Sequence, residues 1–179
     1  MKKIKSISID SIDEVIKYRN KILENMEICK IMLAEMIALQ DALTFFKNIK
    51  YDKVVIDPLT EEAENLIEVV NQNQTYLVSL KGVEYLIEVF PNVPFRINFG
   101  NIPGHDIESE DGSIIAECFA STSYKSNSKL LNDLKKLSKN ESAKHKFTFF
   151  YDKEFSDTNR EHYESKYPDI RIFHFEDVI

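Results

Sequence analysis

Apolar residues recur at seven-residue intervals early in the chain, at Val15, Ile22, Cys29, Met36 and Leu43, with Ile12, Met26 and Leu33 at most of the interleaved positions. Arg19 and Gln40 interrupt that second series. The period predicts a helix over about 12–47, or two stacked helices, opened by a capping box at Ser11-Ile-Asp-Glu14. A continuous helix of that span would be on the order of 50 Å long. Ile16, Leu23, Ile37, Phe45 and Phe46 widen the apolar stripe beyond a coiled-coil seam. The stripe serves either burial against its own domain or pairing with a second subunit.

Further along, Tyr51–Ile56 reads as a short strand ended by Pro58, and Thr60-Glu-Glu opens a helix to about Asn71. Asn71-Gln-Asn-Gln reads as a polar break. Val83, Leu86, Ile87 and Phe90 give the one-sided stripe of a third helix, about Leu77 to Phe90, stopped by Pro91 and Pro94. The period then changes to two. Phe95, Ile97 and Phe99 alternate with Arg96 and Asn98, as in a half-buried strand. Ile102-Pro-Gly104 is read as a turn into a short strand at His105–Glu108, Glu110-Asp-Gly112 as a hairpin turn, and Ser113–Ala120 as the next strand. A helix from Asn127 to about Lys139 carries leucines on one side and lysines on the other. A central strand at Lys146–Tyr151, a helix capped at Thr158 and ended by Pro168, and a strand at Asp169–Phe175 complete the chain. From residue 77 the order is α, β, β, β, α, β, α, β, which predicts an α/β/α sandwich around a mixed sheet. Residues 1–57 form the preceding helical arm, and 58–179 form the α/β core.

The 179 residues are 43% hydrophobic and 30% charged, with four glycines and five prolines, so neither a disordered nor a fibrous protein is expected. No apolar run is long enough to span a bilayer. The start at Met1-Lys-Lys-Ile-Lys-Ser is basic but has no apolar stretch behind it, which gives the expectation of a cytoplasmic protein. Cys29 and Cys118 cannot make a disulfide framework. No Walker or GxGxxG loop can be built from the four glycines, so no nucleotide cofactor is expected, and no Gly-x-Ser-x-Gly turn is present.

Net charge is −7, but the distribution is more informative. Asp106, Glu108, Glu110, Asp111 and Glu117 lie between Gly104 and Glu117 without a Lys or Arg among them, and Lys125, Lys129, Lys135, Lys136, Lys139, Lys144 and Lys146 follow. In the predicted hairpin Asp106 begins one strand and Glu117 lies on its neighbour, so the two face each other across the ladder. Two convergent carboxylates are the least a hard cation such as Mg²⁺ (or Mn²⁺) requires. Bound there, it would lower the pKa of an attacking water at a phosphodiester. The loop from Ser121 to Lys129, with Ser123, Tyr124, Lys125, Asn127 and Lys129, either contacts phosphate oxygens or only caps the following helix. Lys135, Lys136 and Lys139 are read as that helix's exposed face, His105 as a turn residue and Cys118 as core packing.

The order of elements, with Pro103-Gly-His-Asp106 before one strand and Glu117-Cys-Phe119 on the next, resembles the restriction-endonuclease-like nucleases, whose motif is Pro-Asp followed by Asp/Glu-x-Lys. The resemblance runs from Leu77 to about Phe175. It implies that Asp106 and Glu117 ligate the metal, and that Glu84 (less well Glu88) assists from the preceding helix. It also implies a DNA substrate, and pairing of two subunits into a homodimer through the N-terminal helix would then place two cutting centres on the two strands of a duplex. One position departs. Phe119 stands where the family has its lysine. Either the lysine has moved, to Lys129 first or Lys125 second, or the chain is a catalytically inactive module that binds DNA or a protein partner.

Overall fold

The computed structural model describes residues 4–99 and 103–177. Within them the chain is a mixed α/β fold, with a six-stranded sheet, five α-helices and a separate two-stranded ribbon.

The chain opens with a strand, β1 (Ser6–Ile9), which the helical reading of residues 1–57 missed. Its Ser-Ile-Ser-Ile alternation is only four residues long, but Ile7 and Ile9 are buried. Helix α1 (Ile12–Leu39) follows. Ser11 takes the cap position without a side-chain cap bond, while Glu14 Oε2 accepts from the Asp10 amide at 3.0 Å. The long helix ends at Gln40, and α2 (Ala42–Tyr51) starts afresh because Asp41 accepts from the Thr44 amide at 3.2 Å. The buried residues of α1 are Val15, Ile22 and Cys29, spaced at sevens. Ile7, Ile9, Val15 and Ile22 thus join the main core beneath the sheet, while Cys29 packs in a smaller cluster with Val55, Leu66 and Val69.

The helix expected at 60–71 begins only at Leu66. Asp57 accepts from the Leu59 and Thr60 amides at 2.9 and 2.7 Å, which turns the chain into a ribbon of β2 (Val55–Ile56) and β3 (Ala63–Glu64). Tyr51 belongs to α2 instead of a strand. Asn65 then caps α3 (Leu66–Val89) by accepting from the Glu68 amide at 2.9 Å. This helix runs straight through Asn71–Gln74, the predicted break. Asn73 is buried there with its amide nitrogen donating to Asn25 of α1 at 3.1 Å, so a partner across the helix pair takes up half of its polarity, while its oxygen stays buried without a partner.

Strands β4 (Phe95–Asn98), β5 (Ile107–Ser109) and β6 (Ile114–Ala120) follow near the expected places. Gly112, at φ +69°, makes the β5–β6 turn. Ile102, in the turn expected before Gly104, lies outside the described residues. A 3₁₀ turn at Ser126–Ser128 leads into α4 (Lys129–Ser138), then β7 (His145–Tyr151), α5 (Asp157–Lys166) and β8 (Ile170–Phe175). Sheet order is β1-β4-β5-β6-β7-β8, antiparallel as far as β6 and parallel from β6 to β8. Each parallel pair is joined through a helix, as such pairs require.

Strand β6 divides two cores. Ile114, Ala116 and Cys118 pack with residues of α1 and α3, while Ile115 and Phe119 pack with α4, Tyr124 and Phe155. Leu39, Leu43 and Phe46, around the α1–α2 junction, are exposed. Among the described residues no helix is long and apolar enough to cross a membrane.

Candidate functional site

Register places the two acidic candidates together. Ile107 pairs with Ala116, so one step outward Asp106 stands opposite Glu117. Directly opposed residues in such ladders have Cβ atoms about 4.5–5.5 Å apart. The Asp106 carbonyl accepts from the Asn98 amide at 2.9 Å, and its Oδ2 accepts from the Cys118 amide at 2.8 Å. The carboxylate thereby takes a ladder partner's place on β6, while the Asp106 backbone is held by β4. Burial, then the charge of Glu117, pushes the Asp106 carboxyl up to about 6, despite the Cys118 bond and the ammonium groups of Lys129 and Lys136.

Glu117 is only 2% exposed, yet it has two close nitrogen partners. Its Oε1 lies 2.6 Å from His105 Nδ1 and 2.7 Å from Lys136 Nζ. Two expectations are corrected here. His105 is buried just before β5, its second ring nitrogen 3.2 Å from the Asn140 amide, and is not a surface turn residue. A tight turn delivers it, since Gly104 takes φ +125° and Glu108 Oε1 accepts from the His105 amide at 2.9 Å. Lys136 bends back from the helix surface onto Glu117. Sequence reasoning set both aside because neither a lone turn histidine nor one lysine among several carries a motif. The helical spacing was the available signal: Lys129, Asp133 and Lys136 fall at i, i+4 and i+7, on one face of α4.

Lys129 reaches the same face of the sheet. Its Nζ lies 3.0 Å from Asp133 Oδ1 and 6.0 Å from the centre of the Phe119 ring. Phe119 itself is buried and stacked parallel on Phe150 at 4.9 Å. Burial works against the Lys129 charge, but Asp133, Asp106 and Glu117 together raise its pKa. Asp133 is 4% exposed, and burial outweighs Lys129 to push its carboxyl up to about 7. A cavity of about 370 Å³ opens beside Asp106, lined by Thr75, Phe119, Ser126, Asn127 and Lys129. A second, of about 290 Å³, adjoins Asp106 along α3, lined by Gln72, Thr75, Tyr76 and Asn98.

Other candidates fall elsewhere. Glu84 pairs with Arg19 of α1 at 2.5 Å, on the helix-pair side of α3. Tyr124 is buried against Phe155 and Tyr163, so its ring belongs to the core and not to a nucleic-acid surface; its amide donates to Asp152 at 2.6 Å. Lys125 is exposed, with its ammonium over the Tyr124 ring. Ser123 uses its hydroxyl on the Lys125 amide, while Asn127, at φ +51°, is exposed at the cavity rim. Cys118 faces the apolar core, where burial pushes its thiol well up, which leaves it no thiolate for nucleophilic work.

Among the described residues no three His, Cys, Asp or Glu side chains form a ready-made metal cluster. The donor set that exists is two carboxylates, hard oxygen ligands of the kind Mg²⁺ takes while retaining water. No protein-family model matches the chain, and no curated protein or solved structure matches it either.

Proposed function

We propose that the chain is a metal-dependent nuclease of the restriction-endonuclease-like kind that hydrolyses DNA phosphodiester bonds. The observation that carries this reading is the position of Lys129. Residue 119 points to the Glu117 side of β6, where the family motif would put its lysine, and the Lys129 ammonium stands over that Phe119 ring, brought in from α4. A compact positive charge there supports the developing negative charge of a scissile phosphate, which a phenyl ring cannot. The element order α3, β4, β5, β6, α4, β7 supports the same reading.

Asp106 and Glu117 would hold Mg²⁺ or Mn²⁺, which when bound supplies a Lewis acid and an activated water. Asp106, fixed by two strands, sets the register of the site, and His105 with Lys136 holds the orientation of Glu117. Lys129 contacts the phosphate, and Asn127 lines its approach. Double-stranded cutting calls for two copies, and the exposed Leu39, Leu43 and Phe46 offer apolar surface for pairing through the N-terminal helices.

The test is cleavage of supercoiled plasmid with Mg²⁺ or Mn²⁺ by the parent, Asp106→Ala and Glu117→Ala proteins. Cleavage by the parent, lost in both variants, is the expected result. Equal cleavage by all three, or none by the parent on varied DNA, rejects the reading. A second reading, a nuclease-like module that only binds DNA or protein, is favoured by the Phe119–Phe150 stack. Calorimetry with Mn²⁺ separates them, since a module without an ion site gives no heat that Asp106→Asn abolishes.

A further inference from the structure

Lys129 is the first residue of α4, and no acidic residue occupies that first turn. An ammonium is poorly placed there, because the positive end of the helix dipole opposes it. Burial opposes it too. Something must hold the charge in this position, and the structure offers a candidate in Asp133, one turn on, with Oδ1 3.0 Å from Lys129 Nζ. This is not an ordinary surface i, i+4 pair. Its order, lysine before carboxylate, is the weaker one for helix stability. Asp133 is also 4% exposed, and its other oxygen, Oδ2, is buried without a partner. A carboxylate kept inside a core with half its bonding capacity unused is expensive as structure alone.

We propose that Asp133 is the positioning residue of Lys129, holding its ammonium over Phe119 on the Glu117 side of the sheet, ready for a phosphate oxygen. This rests on the nuclease reading and deepens it. Leu130, Leu134 and Leu137 lock α4 onto the sheet, so the carboxylate that steers Lys129 is itself anchored by a rigid element. The role divides the polar face of α4: Lys136 serves Glu117, while Asp133 serves Lys129.

The test compares Asp133→Asn and Asp133→Glu with Lys129→Met and the parent. Readouts are plasmid cleavage with Mn²⁺, Mn²⁺ affinity by calorimetry, thermal midpoint, and the Lys129 ammonium resonance by nitrogen-15 NMR, assigned by its loss in Lys129→Met. Asp133→Asn should lower kcat roughly 10–100-fold with KM and Mn²⁺ affinity unchanged. It should also speed hydrogen exchange at the Lys129 ammonium. Asp133→Glu, which keeps the carboxylate and protects against a mere folding failure, should recover part of both. An Asp133→Asn protein that cleaves as the parent does while Lys129→Met is inactive overturns this role and leaves the nuclease reading standing. Unchanged exchange at the Lys129 ammonium in Asp133→Asn overturns it as well. A parent that cleaves no DNA removes the nuclease reading itself, and this role with it.

Discussion

The two faces of β6 are built from one strand but to different rules. Toward α3 it presents Ile114, Ala116 and Cys118 to a continuous apolar layer in which Phe149 is fully buried. Toward α4 it presents Ile115, Glu117 and Phe119, and among the leucines of that helix lie Lys129, Asp133 and Lys136. The second face also leaves Asp133 Oδ2 and the hydroxyl of Thr148, the β7 neighbour of Glu117, without partners. A core needing only stability would have filled that space with apolar side chains, since buried ion pairs are often no better than well-packed hydrocarbon. The α3 face therefore packs against β6 as plain apolar core, whereas the α4 face sets buried charged groups among its apolar side chains.

The largest effects should separate the faces most cleanly. Glu117→Ala should reduce Mn²⁺-dependent plasmid cleavage by on the order of 10³-fold, the loss of several kcal/mol of transition-state stabilisation, with the fold retained by circular dichroism. Phe149→Ala should do the reverse. Phe149 stacks with Phe147, Phe173 and Phe175, and its truncation should remove about 3–5 kcal/mol of stability in urea unfolding. A Glu117→Ala protein that unfolds as readily as Phe149→Ala would dissolve the distinction.

Much of the fold was legible because it rests on short-range patterns. The alternation at Phe95–Phe99, the Gly112 turn and the leucine stripe of α4 each announce their element. What failed was tertiary. Nothing local tells that Asn73 has a partner in Asn25, so Asn71–Gln74 read as a break, and Asp57 redirects a segment whose acidic start resembles a helix N-terminus. At the site, opposing positions follow from hairpin register, so Asp106 and Glu117 could be paired from sequence. His105 and Lys136 could not, because their role depends on how a turn and a helix lie over β6.

Asp106→Asn tests the cost of charge on the α4 side. The Asp106 carboxyl is raised from 3.8 to about 6 in the folded chain. The folded state therefore holds more protons than the unfolded state between those values. This contribution is fully present below about pH 4, declines as pH rises through about 6, and is lost above. Replacing the carboxylate should stabilise the metal-free protein at pH 8 by at most about 3 kcal/mol, the gain shrinking toward pH 4. Thermal midpoints of both proteins across pH 4–8 would show it. A gain independent of pH would mean that charge is not its source.

On the α3 side, Gly82→Ala should cost about 1–3 kcal/mol, because a Cβ there would stand 2.7 Å from the Phe149 ring, and the tightly packed aromatic layer leaves little room to shift. Urea unfolding would measure the loss, and a neutral result would show that the apolar layer is looser than its stacking implies.

The smallest effect should come from an ion pair that lacks burial. Arg96 and Glu108 stand opposite each other across β4 and β5, with the guanidinium 2.6 Å from Glu108 Oε2. Arg96 is more than half exposed, so water and salt screen the attraction. Glu108 also keeps a second partner, the His105 amide, on its other oxygen. Arg96→Ala should therefore lower stability by less than about 1 kcal/mol, a difference that vanishes in high salt, and should leave His105 in place against Glu117. A larger, salt-insensitive loss accompanied by weaker Mn²⁺ binding would mean that this outer pair helps to hold the His105 turn, and that the polar side of the sheet is one connected network extending from β4 to α4.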